Sequence, residues 1–153
     1  MNSFIKDNLL NKKVKIENTK SLRFTYTVGY FINADIVYEL NLQDNKYIAY
    51  HKIVGVKEEE KLKKEINKDT VLEIENILKK YKVDKWNGFN KSDKNVLDGN
   101  SFYFTYTNGN NENIHASGYM MYPSNYRDFK TEIDTLFEDL FKEEIKKQKT
   151  TLK

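Results

Sequence analysis

The chain has 153 residues, of which 39% are hydrophobic, so its length and apolar content suit one domain with its own core. The net charge is +3, with 26 Lys and Arg against 23 Asp and Glu, which lacks the strong basic footprint of a dedicated nucleic-acid binder. No cysteine is present, and this excludes disulfides, thiolate metal sites and cysteine nucleophiles.

From the residues given we expect neither a signal peptide nor a membrane span. No apolar run reaches membrane-spanning length, and "MNSFIKDNLLNKK" lacks the apolar centre of a signal peptide. We therefore predict a cytoplasmic protein without a membrane span, or an envelope-associated one if an export signal has been removed. Within a single domain covering residues 1–153, we expect residues 1–20 to be peripheral and residues 146–153 to form a frayed basic tail.

Three strands are predicted in the first part of the chain. Residues 22–28 and 36–42 alternate apolar and polar side chains with the period of two that is typical of strands. Asp44-Asn45 tolerates a left-handed backbone, which predicts a tight hairpin turn into a third strand that ends near Gly55. The following "KEEEKLKKEINK" has few apolar residues and is interpreted as a charged connection or a solvated helical turn.

A helix, two further strands and a second helix are predicted in the rest of the chain. Asp69 is interpreted as the cap of the first helix, which should end near Lys82. Residues 102–106 and 114–119 alternate as strands on either side of the turn-rich "NGNNEN". Asn125 is the predicted cap of the final helix, with Asp128 three residues later in a variant of the capping box.

The order strand, strand, strand, helix, strand, strand, helix predicts an α+β domain. It implies an antiparallel sheet of about five strands with two amphipathic helices on one face. The strings "SLRFTYTVG" (21–29) and "SFYFTYTNG" (101–109) resemble each other, but the match ends at the glycine. We interpret this as one strand composition used twice rather than as a duplication, because a true repeat should persist through a supersecondary unit.

The polar face of this sheet is the first candidate site. We predict that this face binds a ligand or partner through Tyr103, Thr105, His115, Ser117 and Tyr119. The same face would also carry Thr25, Thr27, Glu39 and Asn41. Rigid hydroxyl and aromatic groups suit a sugar, a peptide or a protein. We expect Trp86, Phe89 and Tyr122 at its rim. The alternative is an ordinary solvated face.

Other chemistries find less support in the sequence. The loop from Asp93 fails the EF-hand template, since its sixth residue is Asp98 and its twelfth is Phe104. The aromatic "SFYFTYT" lacks the order of an RNA-binding RNP motif. His51 and His115 have no metal-ligand spacing, and no phosphate loop or nucleophile elbow accompanies them. We therefore predict no cofactor, no metal and no catalytic residue.

From Trp86 onward the chain resembles a family of small, uncharacterised bacterial proteins, some of them similar to envelope lipoproteins. The motifs that carry the resemblance are "WNGF" (86–89), "DGNSF" (98–102), "IHASG" (114–118) and "YPSNYRDF" (122–129). The family has no established activity, so the resemblance implies only a self-contained bacterial domain whose motif residues shape loops at one end of the sheet. This chain departs from the lipoprotein-like members because it has neither a signal peptide nor a lipidated cysteine.

These observations favour a non-enzymatic binding module that uses an open sheet face. The partner would be an unknown protein, a small ligand or a second copy bound through the sheet. The alternative is an enzyme of unrecognised type that pairs His115 with a carboxylate from the loop 93–98. An immunity protein that neutralises a toxin has no special support, because the near-neutral charge offers no acidic docking patch.

Overall fold

Alternating apolar and polar residues build most of a seven-stranded, mostly antiparallel sheet. The computed structural model describes residues 13–29 and 31–152. The strands are β1 (Ser21–Thr27), β2 (Asp35–Gln43), β3 (Lys46–Lys52), β4 (Leu62–Ile66), β5 (Asn90–Ser92), β6 (Ser101–Thr107) and β7 (Asn113–Tyr119). The helices are α1 (Lys68–Lys80), α2 (Tyr126–Leu140) and α3 (Lys142–Leu152), with short 3₁₀ helices at Glu58–Glu60 and Val83–Trp86. The α+β class is therefore confirmed.

The strand order across the sheet is β4-β3-β2-β1-β6-β7-β5. Neighbours are antiparallel except β5, which runs parallel to β7. The hairpin between β2 and β3 turns at Asp44 and Asn45, both with positive φ, as predicted. The loops 28–34, 53–61, 93–100 and 120–125 meet at one end of the sheet, because β1, β3, β5 and β7 all end there.

One face of the sheet carries the core, and we call it the covered face. Phe24 of β1 lies opposite Phe104 of β6, and both rings are fully buried. The Phe24 ring is 5.2 Å from the ring of Phe129 in α2, and Trp86 is 5.0 Å from that same ring. Val71 and Leu78 of α1 belong to the same buried cluster. Both amphipathic helices thus pack on the face that β1 and β6 line with aromatic rings.

Two strands and a helix were missed, so the prediction of five strands and two helices is wrong in number. In β4, Leu62 and Ile66 point to the covered face while Lys63 and Glu65 point away, which is enough apolar surface for an edge strand. β5 has only three residues, all of them polar and exposed.

The described parts of the two terminal segments include buried residues and a helix. Residues 146–152, expected to form a frayed tail, belong to α3. Of the segment 1–20, which we expected to be peripheral, residues 1–12 lie outside the described residues. From there on, Val14, Ile16 and Thr19 are buried. Glu75 of α1 fixes this segment, since its carboxylate accepts hydrogen bonds from the Thr19 amide (3.2 Å) and hydroxyl (2.6 Å).

The helix caps differ from those predicted. Asn67, not Asp69, caps α1, because its side-chain oxygen accepts from the Thr70 amide at 2.9 Å. Asn125 does occupy the position before α2, but its φ is 70° and its side chain makes no capping bond. The side-chain amide of Asn125 donates instead to the Tyr81 carbonyl at 3.0 Å, and this hydrogen bond connects the start of α2 to the end of α1.

Candidate functional site

The face opposite the helices, which we call the open face, contains the five central residues of the predicted site. Thr25 is paired with Tyr103, Tyr103 with Ser117, and Thr105 with His115, so all five side chains point to the same side. Tyr103 is 63% exposed, which is unusual for an aromatic residue in the middle of a sheet. None of these five residues is an acid, a lysine or an arginine, but Arg23 of β1 lies directly opposite Thr105 on the same face.

Tyr103 separates two shallow grooves on the open face. One, of about 420 Å³, runs from Tyr103 past Thr25 to Phe31 in the loop 28–34. The other, of about 350 Å³, runs from Tyr103 past His115 to Phe89. Because the Tyr103 ring forms a wall of both grooves, it is placed to contact any molecule that occupies either of them.

Three of the predicted residues also have structural contacts of their own. The Tyr119 hydroxyl accepts from the Gly99 amide at 2.7 Å and donates to the Val96 carbonyl at 3.0 Å, so it holds the loop 93–100. The Ser117 hydroxyl donates to the Asn90 side chain at 3.3 Å. Phe89 packs partly against the core, with its ring 6.2 Å from that of Phe102, and only its outer part reaches the groove beside His115.

Trp86 is not at the rim, contrary to the prediction. It is 2% exposed and lies on the covered face, where its indole N–H donates to the Ser124 carbonyl at 3.0 Å. Tyr122 is 41% exposed but also belongs to the helix side, since its ring stacks on that of Tyr126 at 4.6 Å. The motif residues Trp86 and Tyr122 therefore pack near the start of α2 and not on the open face.

A charged cluster bounds the open face on the β2 side. The Glu39 carboxylate accepts from Arg23 at 2.6 Å and from Lys61 at 3.1 Å, and the same two cations contact Glu58. Burial opposes ionisation of Glu39, but the hydrogen bonds from Lys61 and Asn41 outweigh it and lower the pKa of Glu39. The loop 53–61 therefore closes over this half of the face.

The part of the open face under this loop is buried. Val37 is fully shielded there, and Lys52 is 1% exposed. The Lys52 ammonium donates to the Asn33 carbonyl at 3.2 Å and to the Asp35 carboxylate at 3.1 Å. Its four oxygen acceptors satisfy the charge, so Lys52 anchors the loop 28–34 and is not available to a ligand.

Sequence reasoning missed a cluster of exposed apolar side chains in the loops at the end of the sheet, which we call the apolar loop end. Its members are Val28, Phe31, Ile32, Leu97 and Met121, with exposed fractions between 40% and 87%. Ile32 and Leu97 are the most exposed large hydrophobic residues in the part of the chain that the structure describes. The available signal was "VGYFIN", an apolar run that breaks the alternation of β1 just where turn residues begin.

The apolar loop end is held in position by an unusual backbone. Met120 has a φ of 56°, a left-handed conformation that is unfavourable for a bulky residue. Its amide donates to the Asn100 carbonyl at 2.9 Å, and its sulfur accepts from the Asn100 amide at 3.1 Å. Asp98, also with positive φ, lies in the same region. Strained residues of this kind persist where the surrounding contacts fix them, so these loops have defined shapes.

The surroundings of His115 were compared with the predicted pairing between this residue and a carboxylate of the loop 93–98. The residues that line its groove include no carboxylate, and the His115 amide donates to the Asn87 side chain at 3.0 Å. Asp93 and Asp98 do not line this groove; the Asp93 carboxylate instead accepts from the Asn95 amide at 3.0 Å within its own loop. Within residues 13–29 and 31–152, no three His, Asp or Glu side chains come together to hold a metal ion.

Comparison with known proteins adds no function. No model of a protein family matches the chain, and no curated protein matches it. The resemblance to small bacterial proteins described above therefore stays a prediction. Among the described residues, none of the helices has the length and apolar character needed to cross a membrane.

Proposed function

We propose that the protein is a non-enzymatic interaction module that binds another protein through the open face and the apolar loop end. One observation carries this proposal. Of the nine exposed large hydrophobic residues in the described chain, five form the apolar loop end and a sixth, Tyr103, lies on the open face, whereas Tyr122 lies on the helix side and Leu42 and Leu72 lie elsewhere. Exposed apolar side chains grouped in this way are typical of protein interaction sites, whereas scattered ones are ordinary surface.

The chemistry of the surface supports a protein partner rather than a nucleic acid or an acidic ligand. Its centre around Tyr103 is made of uncharged side chains, while Arg23, which is paired with Glu39, lies opposite Thr105. Interface centres are depleted of charged residues and enriched in aromatic ones, with a polar rim. The partner surface should accordingly be apolar, offer hydrogen-bonding groups and carry little net charge.

Tyr103 is the residue that we expect to contribute most to binding. It lies where the open face meets the groove toward Phe31, and it has a large ring on a rigid strand. Truncation of such an aromatic anchor usually costs about 2 kcal/mol or more of binding free energy, which is roughly a 30-fold loss of affinity. His115, on the neighbouring strand, should contribute less because it borders only the second groove.

Site-specific photo-crosslinking in cells that express the protein tests the proposal. The photoreactive p-benzoylphenylalanine replaces Leu97 or Phe31 at the apolar loop end, and Leu72 on α1 provides a control position that is also exposed and apolar. A protein captured from both loop positions but not from position 72 is then purified and titrated against the wild type, Tyr103→Ala and Leu97→Asp.

We expect direct binding by the wild type and at least tenfold weaker binding by both variants. Two results would contradict the proposal. Equal capture from position 72 would mean that the apolar loop end is not selective. Capture of this chain alone would replace the proposed partner by a second copy, which sedimentation at increasing concentration would then measure.

A further inference from the structure

A second site, unrelated to the open face, lies under α3 on the helix side of the sheet. His51 of β3 is 2% exposed, and its ring stacks on that of Tyr38 at 4.8 Å with the planes 9° apart. Phe137 and Phe141 enclose the imidazole from the helices, with ring centres at 6.2 and 5.8 Å. A polar ring is thus set among aromatic side chains, where each of its nitrogens needs a hydrogen-bonding partner.

The hydrogen bond of one nitrogen fixes the role of the other. Nδ1 lies 3.0 Å from the Val37 carbonyl oxygen, which only accepts, so Nδ1 carries the proton. Burial lowers the pKa of His51, and the hydrogen bond to Val37 and the charge of Asp134 offset only part of this effect. The ring is therefore neutral at pH 7, and Nε2 presents a lone pair that accepts.

This acceptor has no hydrogen-bonding partner in the part of the chain that the structure describes. An unsatisfied buried acceptor costs about 1–3 kcal/mol, and such atoms are uncommon in native proteins. Neighbouring buried polar groups do have partners, since Tyr26 donates to Asp134 at 2.7 Å and Tyr38 donates to the same carboxylate. Besides the side-chain oxygen of Gln148, Nε2 is the buried side-chain polar atom that lacks a partner among the described residues.

A cavity of about 280 Å³ adjoins His51. Ile36, Ile53 and Ile145 form apolar walls, while Lys142 and Lys149 of α3 and Glu138 of α2 lie around it. Neither lysine forms an ion pair with any residue that the structure describes, so two free cations face one carboxylate. The volume is just below the range of about 300–1,000 Å³ that is usual for ligand pockets, which limits the occupant to a small molecule.

We propose that this cavity binds a small organic acid that carries a hydroxyl group. The hydroxyl donates to His51 Nε2, the carbon skeleton packs between the isoleucines, and the carboxylate pairs with Lys142 and Lys149. Nε2 is shielded from solvent, so the side chains of Ile145 and Lys149 move aside when the ligand enters. This proposal does not rest on the function of the open face.

Matched pairs of acids test the proposal by calorimetry on the full chain. The hydroxylated probes are 4-hydroxybenzoate, 3-hydroxybenzoate and 3-hydroxybutyrate, and benzoate and butyrate are the controls without the hydroxyl. We expect at least one hydroxylated acid to bind at least tenfold more tightly than its control. Equal binding within every pair, or no binding by any acid of the set, would overturn the proposal and leave an internal water as the partner of Nε2.

Variants locate the site. His51→Phe keeps an aromatic ring beside Tyr38 and should remove the preference for the hydroxylated acid. Lys149→Ala should weaken both acids of a pair by the same factor, whereas Lys146→Ala, on an exposed part of the same helix, should change neither.

A measurement on the unmodified protein covers the case in which His51→Phe does not fold. The ¹⁵N resonance of His51 Nε2 should shift with the hydroxylated acid and not with its control. A shift with both acids, or with neither, would contradict the assigned hydrogen bond. The open-face variant Leu97→Asp should bind these acids as the wild type does, so the two proposals can fail separately.

Discussion

The two faces of the sheet are formed by the same strands but differ in their role: one packs the core, and the other is mostly exposed to solvent. In β6, Phe102 and Phe104 are buried on the covered face, while Tyr103 between them is 63% exposed on the open face. Alternation along a strand makes this separation possible, because successive side chains point to opposite sides. Substitutions one residue apart should therefore affect stability or binding, but rarely both.

The polar groups of the two faces differ in the same way. On the covered face the Tyr106 hydroxyl donates to the Thr19 hydroxyl, which in turn donates to Glu75. Burial raises the pKa of Tyr106 to about 12, so this hydroxyl keeps its proton at any physiological pH. On the open face, Thr105 has a hydroxyl for which no protein partner is present among the described residues. The Thr105 hydroxyl is thus available to a partner, whereas the hydroxyls of Ser117 and Tyr119 on the same face are bonded within the protein.

The largest effect should come from removing a ring at the centre of the covered face. Phe104→Ala leaves a cavity among Phe24, Trp86 and Phe129 and should lower the free energy of unfolding by about 3–5 kcal/mol. Thr105→Ala, the next residue on the open face, should change it by less than about 0.5 kcal/mol. Urea denaturation measures both, and comparable losses would mean that the faces are not separated as described.

A smaller loss should follow when the polar network of the covered face is broken. Asp134→Ala removes the acceptor of Tyr26 and Tyr38 and the partner of Lys130, and should cost about 2–3 kcal/mol. Asp128→Ala, at an exposed position on the same helix, is the matched control and should stay within about 0.5 kcal/mol. If thermal and urea denaturation give equal effects for the two variants, the network does not stabilise the fold.

Acid should affect the covered face through His51. Its pKa in the folded state lies below the ordinary value of about 6.5, so the unfolded chain takes up this proton first. Stability linked to His51 is therefore complete above about pH 6.5 and is lost as the pH falls from there toward the folded pKa. Urea denaturation of the wild type and His51→Phe between pH 5 and 8 measures this, and parallel pH profiles would show that His51 is not the group involved.

The smallest effect on stability should come from the open face. Tyr103→Ala and His115→Ala remove exposed side chains and should each change the free energy of unfolding by less than about 0.5 kcal/mol. The same variants should bind the partner more weakly, with the greater loss for Tyr103. If either variant has a clearly lower free energy of unfolding, its side chain stabilises the fold. The distinction between the two faces then fails at that position.

The sequence predicted the long strands and both amphipathic helices because their patterns are strong and local. β1, β2, β6 and β7 alternate over seven residues or more, and every predicted open-face residue on them points away from the helices. β4 and β5 were missed because edge strands need little apolar surface, so Lys63 and Glu65 resemble a charged loop. Pairing with β3 and β7, which no local pattern reveals, makes them strands.

The candidate site was predictable on the strands but not in the loops. Tyr103 and His115 follow from alternation alone. Trp86 was misplaced because an aromatic residue in a polar segment is equally compatible with a rim and with a core, and only its contacts with Phe104 and Phe129 decide. The apolar loop end depends on three loops meeting at one end of the sheet, which is a property of topology.

The two similar strings in the sequence turn out to be neighbours. β1 and β6 pair antiparallel at the middle of the sheet with Phe24 opposite Phe104, which is the one equivalent pair that meets across the ladder, and the other equivalent residues lie symmetrically on either side of it. An antiparallel pair of strands has local two-fold symmetry. Two similar strings therefore place similar side chains at symmetry-related positions on each face. The shared pattern therefore suits its position, whatever its origin.

The edges of the sheet determine how another molecule can approach. β5 offers only three residues, and β4 carries Lys63 and Lys64 next to each other. A foreign strand that extended the sheet would gain few main-chain hydrogen bonds at β5 and would meet the exposed charged side chains of Lys63 and Glu65 at β4. Both margins are thus poor sites for strand addition, and another molecule has easier access to the faces and loops than to the edges.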